Sequence, residues 1–403
     1  MHDWHMPDEL NSTTLASRRL AAAGGILMTM QSLSQRGGER VGILLANGFA
    51  AADIPVRIAL LRDCGDAENE LLALLHEDVF IASAGPPSRG PARKYLDRLR
   101  AVPFIRRQIR SFAPAVVLGT VNSLALATAL SRGRTGARPA FALKLTNRLT
   151  APDTGALKRI YRHKSFEFIF SRFDLVLTAS EAERRSMTKL YPGRAQMFRT
   201  VPNPYVTTDM LSGALPLRSV PARILAAGRM VRQKRFDILL HAFARLEDKT
   251  ARLTILGDGP LRPDLQRLAR LLGVADRLQM PGFAEDMLPW LRGSDLFVLS
   301  SDYEGLPAVV VEALACGVPV VATESFCSAR ELLGRLNCCA VTPTGNAALL
   351  AKAIDKSIKE RAEVAALRRI ARDYLIEPSI SAHIRELGAI AVLEGRQASP
   401  LQS

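Results

Sequence analysis

An alternation that runs twice through this 403-residue chain constrains its fold more than any other feature: short apolar runs take turns with longer helical patterns. That pattern builds βα units, because parallel strands need a crossover and the crossover is most often a helix. In the first half, strands are expected at 25–30, 56–61, 115–118, 140–144 and 175–178, with helices at 40–51, 94–111, 124–132 and 157–170. A breaker-rich stretch follows, Val201-Pro202-Asn203-Pro204 and then Gly213, Pro216 and Pro221, which marks a domain boundary. The alternation then restarts. Strands are expected at 223–227, 252–256, 278–280, 296–299 and 318–322, and helices at 236–246, 261–272, 287–292, 308–315, 347–374 and 379–393.

The expected fold is therefore α/β, with two Rossmann-like doubly wound domains facing across a cleft. Residues 1–24 are read as a disordered start, 25–212 as the first domain and 213–378 as the second. Residues 379–403 are read as a helix that packs back on the first domain, then a tail. Ligands of such sheets bind at the carboxyl ends of the strands, so the informative motifs are those that follow a strand.

Three such motifs stand out. Glu304-Gly-Leu-Pro-Ala-Val-Val-Val-Glu312 follows an apolar strand and opens a helix. Gly305 permits close backbone approach, and the free N–H groups of the helix start that follows Leu306 and Pro307 make an anion site. Glu304 and Glu312 are separated by about 12 Å of helical rise, the scale of an extended nucleotide diphosphate. Next, the strand 224–227 runs into Gly228-Arg229 with Lys234 five residues on, so two cations meet a strand end. Arginine grips two phosphate oxygens and lysine acts as a point charge, which suits a pyrophosphate leaving group. Finally, Gly37-Gly38-Glu39-Arg40 follows the first strand. It lacks the GxGxxG spacing of a nicotinamide site, so hydride chemistry is disfavoured.

Composition narrows the classes. The five cysteines (Cys64, Cys316, Cys327, Cys338, Cys339) are odd in number and badly spaced for disulfides or zinc, so a reduced, cytoplasmic setting is expected. No Asp-x-Asp at a strand end suggests a metal. No apolar run is long enough to cross a bilayer. The net charge is +15, and residues 89–172 alone hold eighteen Lys/Arg against Asp97, Asp153 and Glu167. Such a concentration suits an anionic partner. Stretches 94–111 and 157–170 mix these cations with apolar residues, a pattern suited to the inner face of an anionic membrane. Nucleic acid is disfavoured because 6% aromatic residues leave few stacking platforms.

Taken in order, these pieces resemble glycosyltransferase family 4, whose members have the two-domain GT-B fold. Ala179-Ser180-Glu181, Leu256-Gly257-Asp258-Gly259-Pro260, Pro281-Gly282-Phe283 and Ala313-Leu314-Ala315-Cys316-Gly317-Val318-Pro319 complete the series. The resemblance implies transfer of a hexose-type sugar from a nucleotide-diphosphate sugar to a glycan or lipid-linked acceptor, with retention of anomeric configuration, no metal and no other cofactor. It implies that Glu304 contacts the transferred sugar, Glu312 the ribose, and Arg229 and Lys234 the diphosphate. Gly228 belongs to the same loop, Gly305, Leu306 and Pro307 to the phosphate cradle, Gly282 and Phe283 to the base, and Gly37 and Gly38 to the donor phosphate and acceptor. Two departures are visible. Arg235 follows Lys234 where the family often has glycine, and 144–147 reads Lys-Leu-Thr-Asn where many members carry a histidine. His163 reads as a surface residue, so no general base is named. Rival readings are a nucleotide-sugar epimerase or phosphorylase on the same fold, or a non-catalytic basic protein on membrane or nucleic acid.

Overall fold

The computed structural model describes residues 6–33, 37–62, 72–86, 93–120, 122–133, 139–146, 156–213 and 220–396. Cys64 and Asn147 lie outside them. The chain divides into two compact units, one comprising 1–204 with 376–403 and the other 205–375. The first boundary thus falls in the Pro-Asn-Pro segment rather than at 212.

Unit one carries strands β1 (Ile26–Met30), β2 (Val56–Leu60), β3 (Val79–Ser83), β4 (Val116–Gly119), β5 (Ala140–Lys144), β6 (Leu175–Thr178) and β7 (Phe198–Thr200). They form one sheet in the order β3-β2-β1-β4-β5-β6-β7, and every pairing is parallel. Its helices begin with α1 (Met6–Ala22), α2 (Gly37–Ala50), α3 (Arg93–Phe112), α4 (Ala125–Ser131), α5 (Ala156–Phe170) and α6 (Glu181–Leu190). β1, β4, β5 and β6 are buried at every position, as expected of strands covered on both faces.

Unit two carries β8 (Arg223–Ala227), β9 (Arg252–Leu256), β10 (Leu278–Gly282), β11 (Leu296–Leu299), β12 (Val320–Thr323) and β13 (Ala340–Thr342). Their order is β10-β9-β8-β11-β12-β13, again all parallel. The helices are α7 (Thr208–Leu211), α8 (Phe236–Arg245), α9 (Arg262–Leu271), α10 (Leu288–Arg292), α11 (Ala308–Ala315), α12 (Ala329–Leu333), α13 (Ala347–Lys359) and α14 (Val364–Ala371). α15 (Ile376–Arg396) then packs with α1, α2 and β5 of unit one. In each sheet the strand order reverses beside the first strand, between β1 and β4 and between β8 and β11. Those reversals are the switch points at which loops diverge and leave a crevice.

Two expectations need correction. Residues 6–22, read as disordered, form α1, with Leu20 fully buried and Ala16 nearly so. Its own pattern is weakly amphipathic, and the burial comes from α15: a Cβ added at Gly388 would lie 2.8 Å from the Ala16 Cβ. The single helix expected over 347–374 is broken after Lys359 into α13 and α14. No proline or glycine forces that break. It lets α14 pack on α11, where Val364 Cγ1 would be 2.7 Å from a Cβ on Gly317.

Because the α1–α15 contact closes on a glycine, Gly388→Leu should destabilise the protein by about 1–3 kcal/mol through overpacking. A melting temperature equal to that of the unmodified chain would show that α1 does not dock there.

Candidate active site

In unit two, the loops after β8, β9, β10 and β11 are laid side by side by the strand order. Gly228 has φ 148° and donates its N–H to Leu256 O at 2.9 Å. A Cβ at Gly228 would lie 2.9 Å from Lys234 Cε, so the bare backbone is what lets the lysine pass over it. Gly257 packs still closer, since a Cβ there would sit 2.2 Å from Gly228 O. Met230 N–H donates to Asp258 O at 2.8 Å, tying the β8 loop to the Gly-Asp-Gly turn after β9. Gly257, which no motif role had marked, lets these loops touch.

Across the switch point, the β8 and β11 loops are joined directly. Asp302 N–H donates to Gln233 O at 2.8 Å, Gln233 Nε2 to Tyr303 O at 2.7 Å and Ser300 Oγ to Lys234 O at 2.8 Å. On this frame Lys234 Nζ meets Glu304 Oε1 at 2.7 Å, with the two side chains 18% and 11% exposed. The ammonium has three donors, so two remain for another ligand once one is given to Glu304. Arg229 is exposed beside Gly228 and makes no ion pair among the described residues. Pro307 caps α11 at its N-terminus with φ −72° and ψ 119°, rather than occupying its first turn, and Tyr205 donates to Leu306 O at 3.1 Å. The first N–H groups of α11 face the end of the helix where an anion is favoured.

The structure therefore gathers Gly228, Arg229, Lys234, Glu304, Gly305, Leu306 and Pro307 onto two neighbouring loops and one helix start. Glu312 lies in α11 and is 1% exposed. Gly282 and Phe283 stand two strands out from β8, at the end of β10, with Gly282 at φ 104° and Phe283 59% exposed. Gly37 and Gly38 are the first residues of α2 and follow β1 at the switch point of the other sheet. Beside them Ser32 Oγ donates to Glu39 Oε1 at 2.8 Å.

In unit one, Lys144 stands in the segment where many family members carry a histidine. Lys144 is fully buried and donates to Val201 O at 2.5 Å. Burial pulls its ammonium down to about 7, against the attraction of Glu183, whose carboxyl burial pushes up to about 7. His383 of α15 is also fully buried; its Nδ1 donates to Ser379 O at 2.7 Å. Burial, and then Lys144, hold its pKa well below the ordinary histidine value. His163 stacks on Tyr191 with ring centroids 4.7 Å apart.

Between the folded value of about 7 for Lys144 and the ordinary lysine range, the unfolded chain holds a proton that the folded chain lacks. Stability from this group therefore rises with pH through that window. Urea midpoints should gain on those of Lys144→Met as pH rises from about 7 to about 9.5. A difference constant with pH would show that Lys144 titrates normally.

Two family models match the chain, Glycosyltransferase Family 4 over residues 35–209 and Glycosyl transferases group 1 over residues 221–360. Among curated proteins, the lipopolysaccharide core biosynthesis glycosyltransferase LpsE of Rhizobium meliloti is 42% identical over 102 residues, which is 25% of this chain and 29% of that protein. An N-acetylgalactosamine-N,N'-diacetylbacillosaminyl-diphospho-undecaprenol 4-alpha-N-acetylgalactosaminyltransferase of Campylobacter jejuni is 24% identical over 64% of this chain and 70% of its own length. The match thus spans under a third of the first of these relatives. Among solved structures, the lipopolysaccharide outer core galactosyltransferase WaaB superposes with a TM-score of 0.67 at 18% identity, covering 90% of this chain and 98% of that one. Anabaena HepE in complex with UDP and glucose superposes with a TM-score of 0.65 at 19% identity, covering 93% and 99%. With two wholly parallel sheets and a family model matched to each half, the chain belongs to glycosyltransferase family 4, with the GT-B fold.

Proposed function

We propose that the protein transfers a hexose-type sugar from a nucleotide-diphosphate donor to a glycan or lipid-linked acceptor, with retention of anomeric configuration, in the synthesis of cell-surface polysaccharide or glycolipid. The observation that carries this reading is the Lys234–Glu304 pair at 2.7 Å, set beside the exposed Arg229 and the start of α11. A cation and a carboxylate held at one switch point suit a ligand with an anionic middle and a hydroxylated end. Lys234 and Arg229 take the diphosphate, the backbone of 305–307 cradles it and Glu304 accepts from the sugar hydroxyls. Glu312 is assigned to the ribose and Gly282–Phe283 to the base. In unit one, Gly37 and Gly38 are assigned to the donor phosphate and the acceptor.

In the reaction, the bond from the anomeric carbon to the diphosphate oxygen breaks. The acceptor hydroxyl oxygen bonds to that carbon on the same face, and its proton passes to the departing diphosphate. The charge that grows on the leaving group is met by preorganised cations and helix N–H groups, where such groups count most. No metal is part of this scheme. The names of the relatives, with lipopolysaccharide core and diphospho-undecaprenol among them, favour an acceptor of the cell envelope.

The test is a thermal-shift series with UDP, GDP, ADP and their sugar conjugates. One nucleotide should stabilise the protein by about 2.7 kcal/mol at a hundredfold excess over its dissociation constant. Glu304→Ala should reduce turnover by about a hundredfold or more while the melting temperature stays within a few degrees. Stabilisation by none of the three nucleotides, or full turnover in the variant, would remove the assignment.

The basic region is assigned to an anionic membrane at the inner face of the cell membrane. No helix among the described residues is long and apolar enough to cross a bilayer. On α3 the apolar Ala101 and Ile105 are buried, and the exposed face is Arg100, Arg106, Arg107 and Arg110. α5 differs, because Ile160 (59%), Tyr161 (75%) and Phe168 (40%) stay exposed next to Arg159 and Lys164. Apolar side chains ringed by cations suit insertion at the headgroup boundary. Co-sedimentation with phosphatidylglycerol vesicles should fall with salt and with a combined Ile160→Ser, Tyr161→Ser variant. Equal binding to neutral vesicles would exclude this surface.

A further inference from the structure

The loop that carries Lys234 ends on Arg235, whose backbone stands at φ 49° and ψ 41°. That is the left-handed region, ordinarily taken by glycine. The side chain spans two carboxylates from different elements. Nε donates to Asp237 Oδ1 at 3.1 Å and Nη2 to Asp237 Oδ2 at 3.2 Å, at the start of α8. Nη1 donates to Asp302 Oδ1 at 3.0 Å and Oδ2 at 3.3 Å, in the loop between β11 and α11. Arg235 adjoins Lys234, and Asp302 lies two residues before Glu304, so this guanidinium bridges the same two loops as the Lys234–Glu304 pair.

We infer that Arg235 is a positioning residue of the diphosphate site, one that fixes Lys234 relative to Glu304 through its bonds to Asp302. The inference rests on the functional reading above. When a diphosphate draws the Lys234 ammonium toward phosphate oxygens, the Lys234–Glu304 contact loosens. The Arg235–Asp302 contact involves neither group and keeps the loops in register. The left-handed backbone has its use here: it caps the start of α8 one residue after Lys234, where the arginine side chain meets both carboxylates. Lysine, with a single point charge on a flexible stem, cannot span two carboxylates in this way.

The test is calorimetric titration of whichever of UDP, GDP or ADP stabilises the unmodified chain, repeated on Arg235→Gly, Arg235→Lys, Asp302→Ala and the Arg235→Gly/Asp302→Ala double variant. Arg235→Gly should bind about tenfold more weakly while melting no lower, because glycine accepts the backbone angle without strain. Arg235→Lys should fall between it and the unmodified chain, and the double variant should be no worse than Arg235→Gly. Unchanged affinity in Arg235→Gly, a loss matched by a lower melting temperature, or additive losses in the double variant would overturn the inference. An unmodified chain that binds none of the three nucleotides would overturn the diphosphate reading, and this inference with it.

Discussion

A parallel strand cannot be reached from its neighbour by a tight turn. Every crossover must travel the length of the sheet, and the helices that do so cover both faces. The central strands of both units are consequently apolar along nearly their whole length. Polar side chains collect where strands end, and where the strand order reverses two loops part and leave room for a ligand. The grouping of Lys234 with Glu304, seventy positions apart in the chain, follows from β8 and β11 being neighbours at that reversal.

Close packing of bare backbone makes the site compact. Gly257 brings two loops within contact where a side chain would hold them apart, and Gly228 leaves room for the Lys234 stem. The resulting frame is stitched by main-chain and short side-chain bonds, and the charged groups ride on it. Arg235 takes a left-handed backbone in the β8 loop, at a conformational cost of about 1 kcal/mol for a residue with a Cβ, offset by charge-assisted bonds to Asp237 and Asp302.

Much of this was legible in the sequence, for identifiable reasons. Buried parallel strands are continuous apolar runs, so β1, β5, β8, β9 and β11 could be read almost to the residue. β3 could not, because as an edge strand it leaves Phe80 exposed and its pattern is mixed; β7 and β13 are three residues each. α1 escaped because its burial depends on a partner helix more than 350 residues away in sequence, as the Arg385–Thr13 hydrogen bond illustrates. The motif residues of unit two were readable because glycine, proline and charge follow strands at short spacing. The Arg235 backbone angle was not, since arginine carries no signal for the left-handed region. Nor was the burial of Lys144, a strand residue whose partners come from β6–α6, the segment after β7, and α15.

The return of α15 also sets an order of events. Unit two is one uninterrupted stretch of chain, whereas unit one is assembled from two stretches with unit two between them. During synthesis from the N-terminus, the sheet of unit one emerges first. Yet the helix that covers Leu20, and that supplies His383 beside Lys144, leaves the ribosome after everything in unit two. The half of the protein that is translated first is thus the last to be completed, and until then its nascent sheet depends on whatever else shields that apolar face.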